Sequence, residues 1–272
     1  MAISGVSPSG DYFVETVGRV DALPRSILRR RDGSLVCELE KADGSDLPAD
    51  WNWPEPVELV ADDGITRIYG LLFKPLGFDS ALTYPLVDYI YGGPQVSHVP
   101  KSAFTGLAGS DEYASAASLA SLGMYVLILD GRGTSHRERS FREASYGALE
   151  TASNIDDHVA AIRQLAGLRP SIDLARVGIT CFSGGGYMAA VAALRRGDLF
   201  KVAVAGGGNY DQALFWHSWG ERYHGAHEAE LYARQAAKTY AAGLTGKQNI
   251  INFWTTQKGA DQVAFFKLEG SI

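Results

Sequence analysis

The sequence predicts an α/β fold built on a mostly parallel sheet with helices on both faces, and three observations carry that prediction. Short apolar runs of the buried-strand kind recur at 85–91, 124–130, 176–181 and 200–205. Segments of helical character separate them at 111–122, 153–166 and 184–196. The chain, 272 residues with 46% hydrophobic and 21% charged side chains, is long enough for one large α/β domain and a small appendage. Strand alternating with helix over such a length is the pattern of parallel strands joined by crossovers.

Before those elements the period differs. Residues 1–50 predict three short β segments, at 11–19, 26–31 and 34–40, the last two joined at Asp32-Gly33, a dipeptide suited to a two-residue hairpin turn. Three such strands hide little apolar surface alone and suit the end of a larger β structure. Residues 46–56, rich in Pro and Asp, read as a linker. A hairpin is expected from 57–61 and 66–74 around Asp62-Asp63-Gly64. No internal repeat or low-complexity tract is present.

Charge and composition exclude several classes. A net charge of -6 without a basic stripe argues against nucleic acid as a partner. The densest basic run, Arg29-Arg30-Arg31, leads into the hairpin turn and reads as a solvated end. Two cysteines, Cys37 and Cys181, cannot form a disulfide scaffold. No apolar run approaches the roughly 18 residues of a membrane span, and the Met-Ala-Ile-Ser-Gly start carries no export signal. Cytoplasm and periplasm both remain open.

The strand at 176–181 runs into Phe182-Ser183-Gly184-Gly185-Gly186 and then a helix. A strand, a sharp turn with Ser at its apex and a helix form the nucleophile elbow of α/β-hydrolases. Small neighbours let strand and helix approach, and the helix N-terminus offers backbone N–H groups to developing negative charge. The first Gly of the G-x-S-x-G pattern is Cys181 here, which ends a buried strand and is a poor alternative nucleophile. A glycine-rich turn of a phosphate-binding doubly wound fold is the competing reading.

Several segments, in order, resemble the prolyl oligopeptidase family of serine peptidases, in its dipeptidyl peptidase IV-like branch. They are residues 84–95 with Tyr91-Gly92-Gly93-Pro94-Gln95, Leu129-Asp130-Gly131-Arg132-Gly133, Asn154-Ile155-Asp156-Asp157-His158, the elbow itself, and Glu221-Arg222-Tyr223-His224-Gly225. Residues 7–14 resemble the closing blade of that family's β-propeller. The resemblance implies three parts: a propeller-blade remnant at 1–50, an incomplete α/β-hydrolase catalytic domain at 51–247 and an atypical tail at 248–272. It implies that Ser183 attacks a scissile carbonyl while the Gly184 N–H and the Tyr91 hydroxyl hold the oxyanion. Phe215 and Trp219, four apart, would share a helix face and line the pocket for the residue before the cut; ordinary core aromatics would show the same spacing. Small peptides are the implied substrates, with no cofactor and no metal, and a homo-oligomer is open.

Other polar residues of these motifs read as structural. Asp130 and Arg132 would brace a loop, Asp156 and Asp157 would suit the start of a helix, and His158 would face solvent. His224 and His227 likewise read as surface residues rather than metal ligands.

The rest of the triad is harder to find. In this fold the order is Ser, then Asp or Glu, then His. The resemblance stops after Lys247, and 248–258 is a poor strand; Asp261 falls near the position of the family's Asp. The six histidines are His98, His136, His158, His217, His224 and His227, none at the expected triad position. The tail therefore reads as foreign to the family, as a frameshift or early stop would leave it. A serine peptidase impaired by loss of its base is the leading expectation. An α/β-hydrolase esterase and an inactive fragment are the alternatives.

Overall fold

The computed structural model describes residues 2–104, 112–149, 154–243 and 249–253, which form two sheets. The first is an antiparallel meander, β1 (Ala2–Val6), β2 (Tyr12–Arg19), β3 (Ala22–Arg30) and β4 (Leu35–Lys41), in sequential order. It has four strands rather than the three expected. The added strand β1 leaves Ile3 and Val6 exposed, so no buried face marks it in the sequence. The turn at Asp32-Gly33 forms as expected, with Gly33 at φ 86° and Asp32 accepting from the Ser34 N–H.

The second sheet has seven strands in the order β11-β10-β9-β7-β8-β6-β5. They are β5 (Glu55–Val60), β6 (Arg67–Phe73), β7 (Tyr84–Tyr89), β8 (Tyr125–Asp130), β9 (Ile172–Phe182), β10 (Phe200–Gly206) and β11 (Asn249–Phe253). β5 and β6 form the expected hairpin and β6 meets β8 antiparallel, while the remaining pairs are parallel. The supposed linker ends early, since β5 begins at Glu55. The segment read as a poor strand does pair: β11 runs parallel to β10, from Val202↔Asn249 to Gly206↔Phe253.

The helices are α1 (Glu112–Ser121), α2 (Arg139–Glu143), α3 (Ile155–Leu168), α4 (Gly184–Arg195), α5 (His217–His224) and α6 (Ala229–Arg234). Alternate residues of β8 serve the two faces of the sheet. Leu127 and Leu129 join the core beneath α3 and α4, with Ile162, Leu165, Tyr187 and Met188. Val126 and Ile128 pack with Leu71, Phe73 and α1 residues Tyr113 and Ala116. The meander is tied to the larger sheet by the Tyr113 hydroxyl donating to the Val20 carbonyl (2.9 Å) and the Ala103 N–H donating to Arg19 (2.9 Å). The elbow therefore sits between β9 and α4, with the end of β7 on one side and the end of β10 on the other.

Candidate active site

Ser183 stands at φ 58°, ψ -126°, a left-handed conformation that non-glycine residues rarely adopt and that marks a strained turn. The turn is held from both ends. The Ser183 N–H donates to the Gly206 carbonyl (2.8 Å), and its carbonyl accepts from the Tyr187 N–H (3.0 Å) to open α4. A Cβ at Gly185 would collide with the Ile90 carbonyl and the Cys181 side chain, and one at Gly186 with the backbone of Gly206. Those two glycines are what let the first turn of α4 pass so close to β7 and β10. Cys181 is free and buried, and burial pushes its thiol up to about 12, so it stays protonated and does not compete as nucleophile.

Tyr91 comes to the elbow as expected. A Cβ placed on Gly184 would lie 3.4 Å from the Tyr91 hydroxyl, so the phenol borders the first N–H groups of α4. Gln95 Nε2 donates to the Tyr91 oxygen (3.3 Å), which leaves the phenolic hydrogen free to donate elsewhere. The loop carrying Tyr91 is fastened by a fully buried Asn154, whose Nδ2 donates to the Gly92 carbonyl (3.2 Å) and whose Oδ1 accepts from the Gly131 N–H (3.1 Å). Asn154 precedes α3 but makes no side-chain cap; its side chain joins two loops instead.

The residues read as structural divide. Asp130 accepts from the Ser97 hydroxyl (2.6 Å) and the His98 N–H (2.7 Å), bracing the loop after Tyr91. Asp157 stands in the first turn of α3 as expected, and it is also a buried anchor that accepts from the backbone and guanidinium of Arg132. His158 corrects the sequence reading outright. It is buried, and its Nδ1 lies 2.8 Å from both oxygens of the buried Asp88. Burial alone would lower its pKa, but the Asp88 carboxylate, with Asp157 and Asp130 behind it, holds it above the ordinary value. The signal was present: Asp88 alternates with Leu86 and Ile90 on a buried strand face, and a buried carboxylate needs a partner.

The aromatic pair also needs correction. Phe215 precedes α5, which begins at His217, so it shares no helix face with Trp219. The two still meet edge-on at 5.5 Å, and Trp219 lies 4.9 Å from Tyr223, the residue four further along the same helix. Arg222 and Tyr223, rather than Phe215 or Trp219, line a cavity of about 660 Å³ together with Pro94 and Gln95. His224, expected at the surface, is buried behind these rings against Trp219 and Tyr232, with neither ring nitrogen hydrogen-bonded. Burial pushes it down to about 4.

None of the six histidines is hydrogen-bonded to Ser183 among the described residues. Asp261 lies outside the described residues. Among the described residues no cluster of three or more metal-ligating side chains occurs, and no helix is long and apolar enough to cross a membrane.

A mostly parallel sheet that turns through a strained serine into a glycine-led helix defines the α/β-hydrolase class. The chain belongs to the prolyl oligopeptidase family, whose profile it matches over residues 111–251. It is 40% identical over 160 residues to dipeptidyl peptidase 8 from mouse, 58% of this chain and 17% of that protein, and equally similar to the human protein. Prolyl endopeptidase FAP from mouse is 30% identical over 154 residues, 55% of this chain and 18% of that one. A crystal structure from Bacteroides ovatus, described as a candidate dipeptidyl aminopeptidase IV, superposes with a TM-score of 0.76 at 26% identity. That superposition covers 91% of this chain and 34% of the other. The chain thus spans less than a fifth of the length of these curated relatives.

Proposed function

We propose that residues 51–247 are the acyl-transfer unit of a dipeptidyl-peptidase-like enzyme acting on small peptides, with Ser183 as nucleophile. The observation that carries this reading is the meeting of Ser183, at φ 58°, with the Tyr91 phenol beside Gly184. In this scheme Ser183 Oγ adds to the carbonyl carbon, and the oxygen that becomes negative accepts from the Gly184 N–H and the Tyr91 hydroxyl. Collapse expels the amine and leaves an acyl group on Ser183, which water then removes. Tyr223 would supply the apolar wall for the residue before the cut, with Trp219 packed against it and Phe215 against Trp219.

Both chemical steps need a proton acceptor near Oγ, and none of the histidines in the chain is bonded there. Acylation by this chain is therefore proposed to be slow, with Ser183 reacting mainly with strongly electrophilic reagents. An elbow that binds acyl groups without turnover is the second reading, favoured by the same missing bond. The N-terminal meander is proposed to be one propeller blade, which its four antiparallel strands in sequential order would suit.

Treatment of the purified chain with a fluorophosphonate probe tests the assignment. Covalent labelling that vanishes in Ser183→Ala is the expected result. Labelling that persists in that variant, or no labelling of folded protein, contradicts it.

A further inference from the structure

The cavity of about 660 Å³ beside the elbow has a charge pattern that the acyl-transfer scheme leaves unused. Its wall includes Gln95, Arg142, Tyr146, Arg222 and Tyr223. Gln95 reaches Tyr91 through its amide and Tyr223 meets Trp219 through its ring, so the cavity begins where the surroundings of Ser183 end. The two walls that carry the arginines are tied together. The Gly147 N–H donates to the Tyr223 carbonyl (2.9 Å), and the Gly147 carbonyl accepts from Gln235 Nε2 (2.9 Å). On the α2 side the Ser145 hydroxyl donates to the Gly133 carbonyl (3.1 Å). Arg142, in the last turn of α2, and Arg222, in the last turn of α5, therefore stand on a braced frame.

The charges on that frame are unbalanced. Both guanidiniums are open to solvent, and neither makes an ion pair or a side-chain hydrogen bond among the described residues. Arg222 lies over the Tyr223 ring, 5.5 Å from its centroid, which limits the directions in which its planar fork can face. Glu143 also lines the cavity, but Arg139 already engages it at 2.7 Å. The exposed Tyr146 hydroxyl has no hydrogen-bond partner among the described residues. Two free guanidiniums repel an ammonium and offer a fork to a carboxylate, and the phenol can add a third donor. In a chain of net charge -6, this is a local reversal of sign next to the nucleophile turn.

We propose that this cavity selects short peptides that carry a carboxylate, with Arg142 and Arg222 gripping its oxygens and the Tyr146 hydroxyl donating to one of them. The inference rests on the reading of Ser183 as a peptidase nucleophile and names the substrate class of that site. The carboxylate is the C-terminus of the peptide or an Asp or Glu side chain, since the fork accepts either.

Calorimetry on the full chain carrying Ser183→Ala tests this apart from the nucleophile assignment. The probes are acetyl-Ala-Ala-Ala amide, the free acid of the same peptide, and acetyl-Ala-Ala-Glu amide, the last two reporting the two sources of the carboxylate. At least one of these two should bind about tenfold more tightly than the neutral amide, the gain of a charge-assisted hydrogen bond. Arg142→Gln and Arg222→Gln, both at exposed positions, should each remove most of that preference and leave the affinity of the neutral amide unchanged. In the unsubstituted chain the preferred probe should slow fluorophosphonate labelling of Ser183 at concentrations where the neutral amide does not. Equal affinity for the three probes overturns the proposal, and so does a preference that survives both arginine replacements. A bound carboxylate peptide that leaves labelling unprotected also overturns it, by detaching the cavity from the Ser183 site. Carboxylate-selective binding by a chain whose Ser183 takes no label would instead remove the nucleophile reading and leave the selectivity of the cavity standing.

Discussion

On the Tyr91 flank of Ser183, Gln95 is bonded to Tyr91 and Asn154 to the adjoining Gly92, whereas no histidine is bonded to the Ser183 hydroxyl among the described residues. The first flank is assembled from the ends of β7 and β9, the start of α4 and the residue preceding α3, all packed on one core. A base has to be delivered by a separate segment, and a triad depends on each member being in place. The contrast teaches that an elbow can be fully formed by local packing while its proton transfer depends on a distant part of the chain.

The largest effect should come from the buried His158–Asp88 pair. His158→Leu or Asp88→Leu alone leaves one buried polar partner uncompensated and should cost about 3–5 kcal/mol in urea unfolding. The double replacement should recover most of that loss. Tyr91→Phe should slow phosphonylation of Ser183 by about 10²–10³-fold if the phenol is an oxyanion donor. A slowing of less than about threefold would remove Tyr91 from the site. Asn154→Ala deletes two buried hydrogen bonds and should cost about 2–3 kcal/mol, with slower labelling because Gly92 and Gly131 lose their common anchor.

Smaller effects separate the paired from the unpaired histidines. His224→Phe keeps the aromatic contacts and removes two orphaned nitrogens, so it should stabilise the fold by about 1–2 kcal/mol. The folded pKa values of His98 and His224, about 3 and about 4, lie below the ordinary 6.5. The unfolded chain therefore binds more protons as the medium is acidified. The stability contributed by keeping these rings neutral is complete above pH 6.5 and is lost as pH falls towards 4 and then 3. His158 has a raised pKa and runs the other way, its contribution complete below 6.5 and lost as pH rises through the folded value. His224→Phe should accordingly flatten the acid side of the stability profile, while His158→Gln should leave it in place.

Most of the sheet was legible because β7, β8 and β10 are apolar runs, and the elbow because strand, Ser and glycines are contiguous. β1 was not, since its side chains are exposed and it is defined by pairing with β2 alone. The burial of His158 was legible in principle, for it stands three residues after Ile155 and four before Ile162 on the buried face of α3. Its partner lies 70 residues away, and only the fold brings the two together. The aromatic pair at 215 and 219 was misjudged through a helix boundary, because spacing by four means a shared face only when both residues are helical. The bridge made by Asn154 has no local signature at all, since the same residue type before a helix ordinarily caps it.

The difference between the two flanks of Ser183 is tested most directly by the pH dependence of its phosphonylation in the 272-residue chain. With a formed elbow and no imidazole bonded to Oγ, labelling should require Ser183, fall in Tyr91→Phe and rise with hydroxide without an inflection in the range where a histidine titrates. A sigmoidal profile with a midpoint of about 6.5–7, abolished by replacing one of the six histidines, would contradict this and identify that histidine as the base serving Ser183.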